Sequence, residues 1–102
     1  MKKRTHLYRR ENRVLFVTTI TDTEPSTRPF VVAGMPMYNE EETIGSVVIR
    51  ALRHVDKVVC IDDGSSDASA RIAEACGATV VRHRINRGYG GALKTLFMKA
   101  LE

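Results

Sequence analysis

Three short apolar runs, residues 30–35, 57–61 and 78–82, are each followed by a polar loop and then by a stretch suited to a helix. That alternation constrains the fold more than any single residue does. Apolar runs of this length need cover on both faces, and a parallel sheet with right-handed helical crossovers supplies it. The expectation is a three-layer α/β fold of β-α-β-α-β-α topology, its strands side by side in the order 3-2-1.

The local signals refine this. Pro36 lacks a backbone donor and is expected to end pairing of the first strand, residues 30–35. Asn39 reads as the cap of the next helix, with Glu42 reaching back to the cap backbone and Glu40 and Glu41 suiting the positive end of the helix dipole. Ile44, Val47, Val48, Ala51, Leu52 and Val55 recur at helical spacing and define its buried face. Ser46, Arg50, Arg53 and His54 then face solvent. The second strand is expected to stop at Asp62, where Asp62, Asp63, Gly64, Ser65, Ser66 and Asp67 form a turn that opens a helix over 68–76, closed by Gly77. A third helix begins near Gly91 and carries Ala92, Leu93, Leu96, Phe97, Ala100 and Leu101 on one face.

At 102 residues the chain holds one small core. No apolar run approaches the roughly 20 residues of a membrane span, and no secretion signal follows the basic start. The net charge of +4 is confined to residues 1–28, where Lys2, Lys3, Arg4, Arg9, Arg10, Arg13 and Arg28 outnumber Glu11, Asp22 and Glu24. Residues 29–102 are balanced, which argues against nucleic acid as a partner and leaves a basic lead that is solvated or drawn to a membrane surface. Cys60 and Cys76 suit neither a disulfide framework nor a zinc site, and a reducing cytosol is the expected setting. Residues 1–29 read as a basic, largely flexible extension before a folded unit at 30–102. Within it, the β-branched run 14–21 adds an edge strand, pairs with a second chain to give a homodimer, or stays a sticky segment.

Parallel strands bring three loops, 36–40, 62–66 and 86–91, to the carboxyl edge of the sheet, where ligands bind in open α/β folds. Asp62 and Asp63 are either a capping turn or ligand contacts. Carboxylates at the end of a buried strand need donors, which an ordered loop, a nucleobase imide or a ribose hydroxyl provides. Gly88, Gly90 and Gly91 stand in the wrong place and spacing for a dinucleotide loop. They let a backbone approach a ligand or let the third helix pack closely.

Three stretches carry a family resemblance: Pro36-Met37-Tyr38-Asn39-Glu40-Glu41, Val59-Cys60-Ile61-Asp62-Asp63-Gly64-Ser65-Ser66-Asp67 and Asn86-Arg87-Gly88-Tyr89-Gly90-Gly91-Ala92-Leu93. Over residues 30–102 the chain resembles the first half of a family 2 glycosyltransferase of Rossmann-like GT-A fold. It is most similar to dolichyl-phosphate mannose or glucose synthases and related polyprenyl-phosphate sugar transferases. The resemblance implies that Pro36, Tyr38 and Glu40 line a nucleotide pocket, Tyr38 lying against the base. Ile61 and Asp63 would contact base and ribose, and Asn86 and Gly88 would shape the far wall. It implies a GDP- or UDP-linked sugar as donor, a polyprenyl phosphate as acceptor, and a place in the cytoplasm or at the cytoplasmic face of the membrane. Members of the family hold a divalent Mg or Mn ion through an Asp-x-Asp motif on a further strand, which this sequence does not reach. The chain is therefore expected to resemble a truncated enzyme with no catalytic residues or metal ligands of its own, inactive alone. The alternative is a nucleotide-binding or structural module without turnover.

Overall fold

In the computed structural model, which describes residues 2–10, 13–21 and 29–83, the elements run β1 (Lys2–Arg10), β2 (Arg13–Thr21), β3 (Phe30–Met37), α1 (Ile44–Ala51), β4 (Lys57–Asp63), α2 (Ser69–Ala75) and β5 (Thr79–His83). One sheet contains all five strands in the order β1-β2-β3-β4-β5. β3, β4 and β5 are parallel, whereas β1 and β2 form an antiparallel hairpin whose second strand pairs with β3. The loop at 86–91 and the third helix lie outside the described residues.

The core forms where one face of the sheet meets the helices. Ala33, Met35 and Met37 of β3 and Val58 and Cys60 of β4 alternate onto that face, and Ile44 and Val48 of α1 and Ala70 and Ala73 of α2 close over them. Val47, Ala51, Leu52 and Val55 pack around its margin, so the helical stripe expected from spacing is the buried one. Ser46, Arg50, Arg53 and His54 are exposed. Val32, Val59 and Ile61 are buried on the opposite face, the two-sided burial expected of central parallel strands. Gly45 keeps the helices close: a Cβ there would come within 3.1 Å of Ile72 Cγ2 and 3.3 Å of Cys76 Sγ. Cys60 is buried, Cys76 half-buried, and no disulfide joins them.

Several boundaries differ from expectation for identifiable reasons. β3 runs through Pro36 to Met37, with Pro36 opposite Ile61 and Met37 opposite Asp62. Pairing with β2 ends at Gly34, so β3 is an edge strand on that side from Met35 onward, the setting in which a missing donor is tolerated. β4 likewise continues through Asp62 and Asp63, which stand opposite Arg82 and His83 of β5. Asn39 does not cap α1. Thr43 occupies the cap position with no side-chain cap bond, and the Glu40 carbonyl accepts from the N–H groups of Thr43 and Ile44. No acidic residue lies in the first turn of α1, and the reciprocal bond expected from Glu42 is absent from its cap.

Gly77 does end α2. At φ 109 it donates to the Glu74 carbonyl while Ala78 donates to the Ala73 carbonyl, a Schellman motif. The run expected to be extended at 14–21 is β2, and it covers the edge of β3 within its own chain. Lys2–Arg10, in the lead expected to be flexible, is a strand as well. Its pairing is carried by backbone bonds to β2, and charged residues are usual on an edge strand, so it has no apolar alternation to reveal it.

Candidate active site

At the carboxyl ends of β3 and β4 the two loops are tied together by their own polar groups. Asn39 donates its N–H to Ser65 Oγ at 2.9 Å, and its Oδ1 accepts from the Ser66 N–H at 2.9 Å and from the Ser66 hydroxyl at 3.4 Å. One turn further, Glu41 Oε2 accepts from the Ala68 N–H at 3.0 Å while the Glu41 N–H donates to Asp67 Oδ2 at 3.2 Å. The Glu40 N–H donates to the buried Ser69 hydroxyl at 2.6 Å. Asn39 holds φ 47, a left-handed conformation that an asparagine adopts more readily than most residues. Its side chain thus serves the neighbouring loop and not the helix it precedes.

Asp67 joins this latch from the second loop. Its Oδ1 accepts from both the hydroxyl and the N–H of Ser69. The Ser69 hydroxyl is the main cause holding the Asp67 carboxyl below its usual range; desolvation opposes the shift, and the N–H groups of Ser69 and Glu41 reinforce it.

The two aspartates ending β4 part company across the sheet. Asp62 is on the helix-covered side, where its Oδ1 accepts from the Ser65 N–H at 3.1 Å. An open polar depression of about 510 Å³ lies there, bordered by Asp62, Ser66, Arg71 and Arg82. Asp63 is on the other face with Ile61 and Pro36, which stand opposite one another in register. Next to it on β5, the His83 ring contacts it, Nδ1 to Oδ1 at 3.3 Å, both side chains nearly buried. An ordered loop and a neighbouring strand therefore supply donors to the two carboxylates. Tyr38 follows directly on β3 and is 50% exposed. Glu40 turns back on its own loop, its Oε2 accepting from the Tyr38 N–H at 3.4 Å.

Pro36, Ile61 and Asp63 are thus brought to one face at one edge, and Tyr38 and Glu40 to the adjoining loop. None of these five borders the open depression on the helix side. Asn86 and Gly88 lie outside the described residues. His83 was missed by sequence reasoning because the third strand was ended at Arg82; one more residue puts a histidine in register with Asp63. Ser65 and Ser66 read as turn residues and Ser69 as part of the helix over 68–76, and their partners across the latch leave no local signal.

Asp62, Asp63 and Asp67 do not suit a divalent cation. Asp63 leaves the sheet on the face opposite Asp62 and Asp67, and among the described residues no group of three or more metal-ligating side chains converges. Among the described residues, too, no helix is long and apolar enough to cross a membrane.

The chain is 45% identical over 67 residues to an uncharacterised protein of Methanocaldococcus jannaschii, a match covering 65% of this chain and 27% of that protein. It is 36% identical over 74 residues to the undecaprenyl-phosphate 4-deoxy-4-formamido-L-arabinose transferase of Edwardsiella ictaluri, covering 63% of this chain and 23% of the transferase. The transferase of the same name from Klebsiella pneumoniae is 39% identical over 66 residues, covering 55% and 20%. The chain thus spans about a quarter of the length of the curated relatives it matches. Residues 33–102 match the pattern of glycosyl transferase family 2, more than half of the chain, and it is to this family that the chain belongs.

Proposed function

We propose that this chain is the nucleotide-binding part of a glycosyltransferase that moves a sugar from a nucleoside diphosphate donor to a polyprenyl phosphate. The observation that carries the proposal is the carboxyl edge of β3 and β4. There a latch of side-chain to backbone bonds holds Tyr38 at the end of β3, while Pro36, Ile61 and Asp63 share a face beside it. An exposed aromatic ring next to a carboxylate is what a nucleoside needs, a surface for the base and an acceptor for its imide or ribose donors. Family membership and transferases named for undecaprenyl phosphate among the relatives support the sugar-transfer chemistry and the lipid phosphate acceptor. In this reading Asn86 and Gly88 complete the pocket, and the work is done at the cytoplasmic face of a membrane. The described carboxylates do not fit the divalent metal of the wider family, so no step is assigned to one.

Titration with UDP and with GDP, followed by amide chemical shifts, tests the reading. Perturbations are expected at Tyr38, Ile61 and Asp63, and they should vanish in Asp63→Ala. Unchanged perturbations in Asp63→Ala would refute the pocket assignment. An alternative, a module that binds nucleotide without turnover, predicts the same shifts but no transfer of radiolabelled sugar by any longer chain containing these residues.

A further inference from the structure

We propose that the turn end of the β1-β2 hairpin docks the protein on an anionic lipid surface, with the carboxyl edge of the sheet turned toward that surface. The choice of a lipid as partner rests on the proposed function, in which the acceptor is a polyprenyl phosphate. The hairpin differs from the rest of the chain in charge. Its two strands carry Lys2, Lys3, Arg4, Arg9, Arg10 and Arg13 and no Asp or Glu, whereas residues 29–102 are balanced. Pairing then divides the cations between the two ends of the sheet. Lys2, Lys3 and Arg4 stand opposite Thr21, Ile20 and Thr19, while Arg9 and Arg10 stand opposite Val14 and Arg13. β2 runs against β3, with Ile20 opposite Phe30 and Phe16 opposite Gly34. Counted outward from that last pair, Arg13 lies as many residues beyond Phe16 as Met37 lies beyond Gly34. Arg9, Arg10 and Arg13 therefore belong to the end of the sheet that bears Tyr38 and the latched loops, and Lys2, Lys3 and Arg4 to the opposite end.

The turn end has a second distinguishing property. Arg10 and Arg13 are direct register partners, and like charges placed opposite one another in a sheet are destabilising. A layer of anions within reach of both relieves that repulsion. The start of β1 has no such pair, since its partners are threonines and an isoleucine. A second copy seated on this hairpin would set cations against cations, whereas anionic headgroups complement them. The geometry also suits the chemistry. A donor held at the carboxyl edge has to meet a phosphate whose hydrocarbon tail stays in the bilayer, so that edge has to face the membrane.

Each cation near an anionic bilayer strengthens binding about fivefold, and three together about a hundredfold. Co-sedimentation of the full chain with vesicles of mixed phosphatidylglycerol and phosphatidylcholine, against phosphatidylcholine alone, measures this. Arg9→Gln, Arg10→Gln and Arg13→Gln combined should weaken binding about a hundredfold, whereas Lys2→Gln, Lys3→Gln and Arg4→Gln combined, equal in charge, should cost about fivefold or less. On the unaltered chain, binding should be lost at about 1 M salt, where the screening length falls to about 3 Å. With a gadolinium-chelating lipid in the vesicles, the amide signals of Tyr38 and Ser65 should broaden before those of Asp56 and Lys57 at the start of β4. The inference is overturned if the two triple variants weaken binding equally, if the arginine variant binds as the unaltered chain does, or if broadening falls first on Asp56 and Lys57. Tighter binding to a mixed-sequence RNA duplex than to the vesicles also overturns it. Loss of vesicle binding with UDP or GDP shifts intact at Tyr38 overturns the docking and leaves the functional reading standing. Oriented vesicle binding without any nucleotide shift supports the docking and refutes that reading.

Discussion

Replacing Asn39 separates two contributions that the latch combines. Asn39→Ala removes the acceptor that serves the Ser66 N–H and hydroxyl, and it places a Cβ-bearing residue without a local polar group at φ 47. Losing a partly solvated bond of this kind costs about 1 kcal/mol, because water replaces the lost acceptor in part. Holding alanine in the left-handed region costs about 1 kcal/mol more. The sum, about 2 kcal/mol, is a large share of the roughly 5–15 kcal/mol by which small domains are stable. Asn39→Gly loses the same acceptor but not the conformation, so it should be destabilised by only about 1 kcal/mol. Urea unfolding of the three proteins side by side, with slopes compared to confirm that the unfolded state is unchanged, measures both numbers. In hydrogen exchange the Ser66 amide should lose protection in both variants. If Asn39→Ala is no less stable than Asn39→Gly, the conformational argument fails. If neither variant alters protection at Ser66, the latch is not holding the second loop.

Gly77→Ala should destabilise by about 1–2 kcal/mol in the same assay, since φ 109 is costly for alanine and its Cβ would lie 3.0 Å from Leu52 Cδ1. Ile44→Ala empties a fully buried position between α1 and the sheet, and a loss of about 2–5 kcal/mol is expected from thermal or urea unfolding. Asp67 gives a pH signature. Its folded pKa is depressed, so its contribution is present above its unfolded value near 3.8 and is lost as pH falls through the lower folded value. Acid titration should therefore release the Glu41 amide from protection below about pH 4, and Asp67→Asn should flatten that part of the profile.

The helix-facing pattern of Ile44, Val48 and their neighbours was legible because helical periodicity is a local property that survives in any tertiary setting. The same holds for the glycine that ends α2, whose role depends on the conformation of one residue. The strand ends were not legible. Pro36 is a sound local stop signal, overruled because β3 lacks a β2 partner beyond Gly34, a fact about a strand elsewhere in the sequence. The polar β1 escaped notice for a related reason, since its partner and not its own residues makes it a strand.

For the site, the alternation of apolar runs and polar loops was enough to bring the loops after β3 and β4 to one edge and to deliver Tyr38 and Asp63 there. Those assignments need only the two-residue period of a strand and the direction of parallel connections. Tertiary structure decided what each polar side chain does on arrival. Asn39 looks like a helix cap along the chain, yet it serves Ser66, 27 positions away. Asp62 and Asp63 look like a pair, yet the pleat sends one to a loop N–H on the helix side and the other to His83 on the opposite face. A hydrogen-bonding group of ordinary strength goes to whichever donor the fold brings within about 3 Å. Local sequence ranks its options, and only the packing of distant strands selects among them.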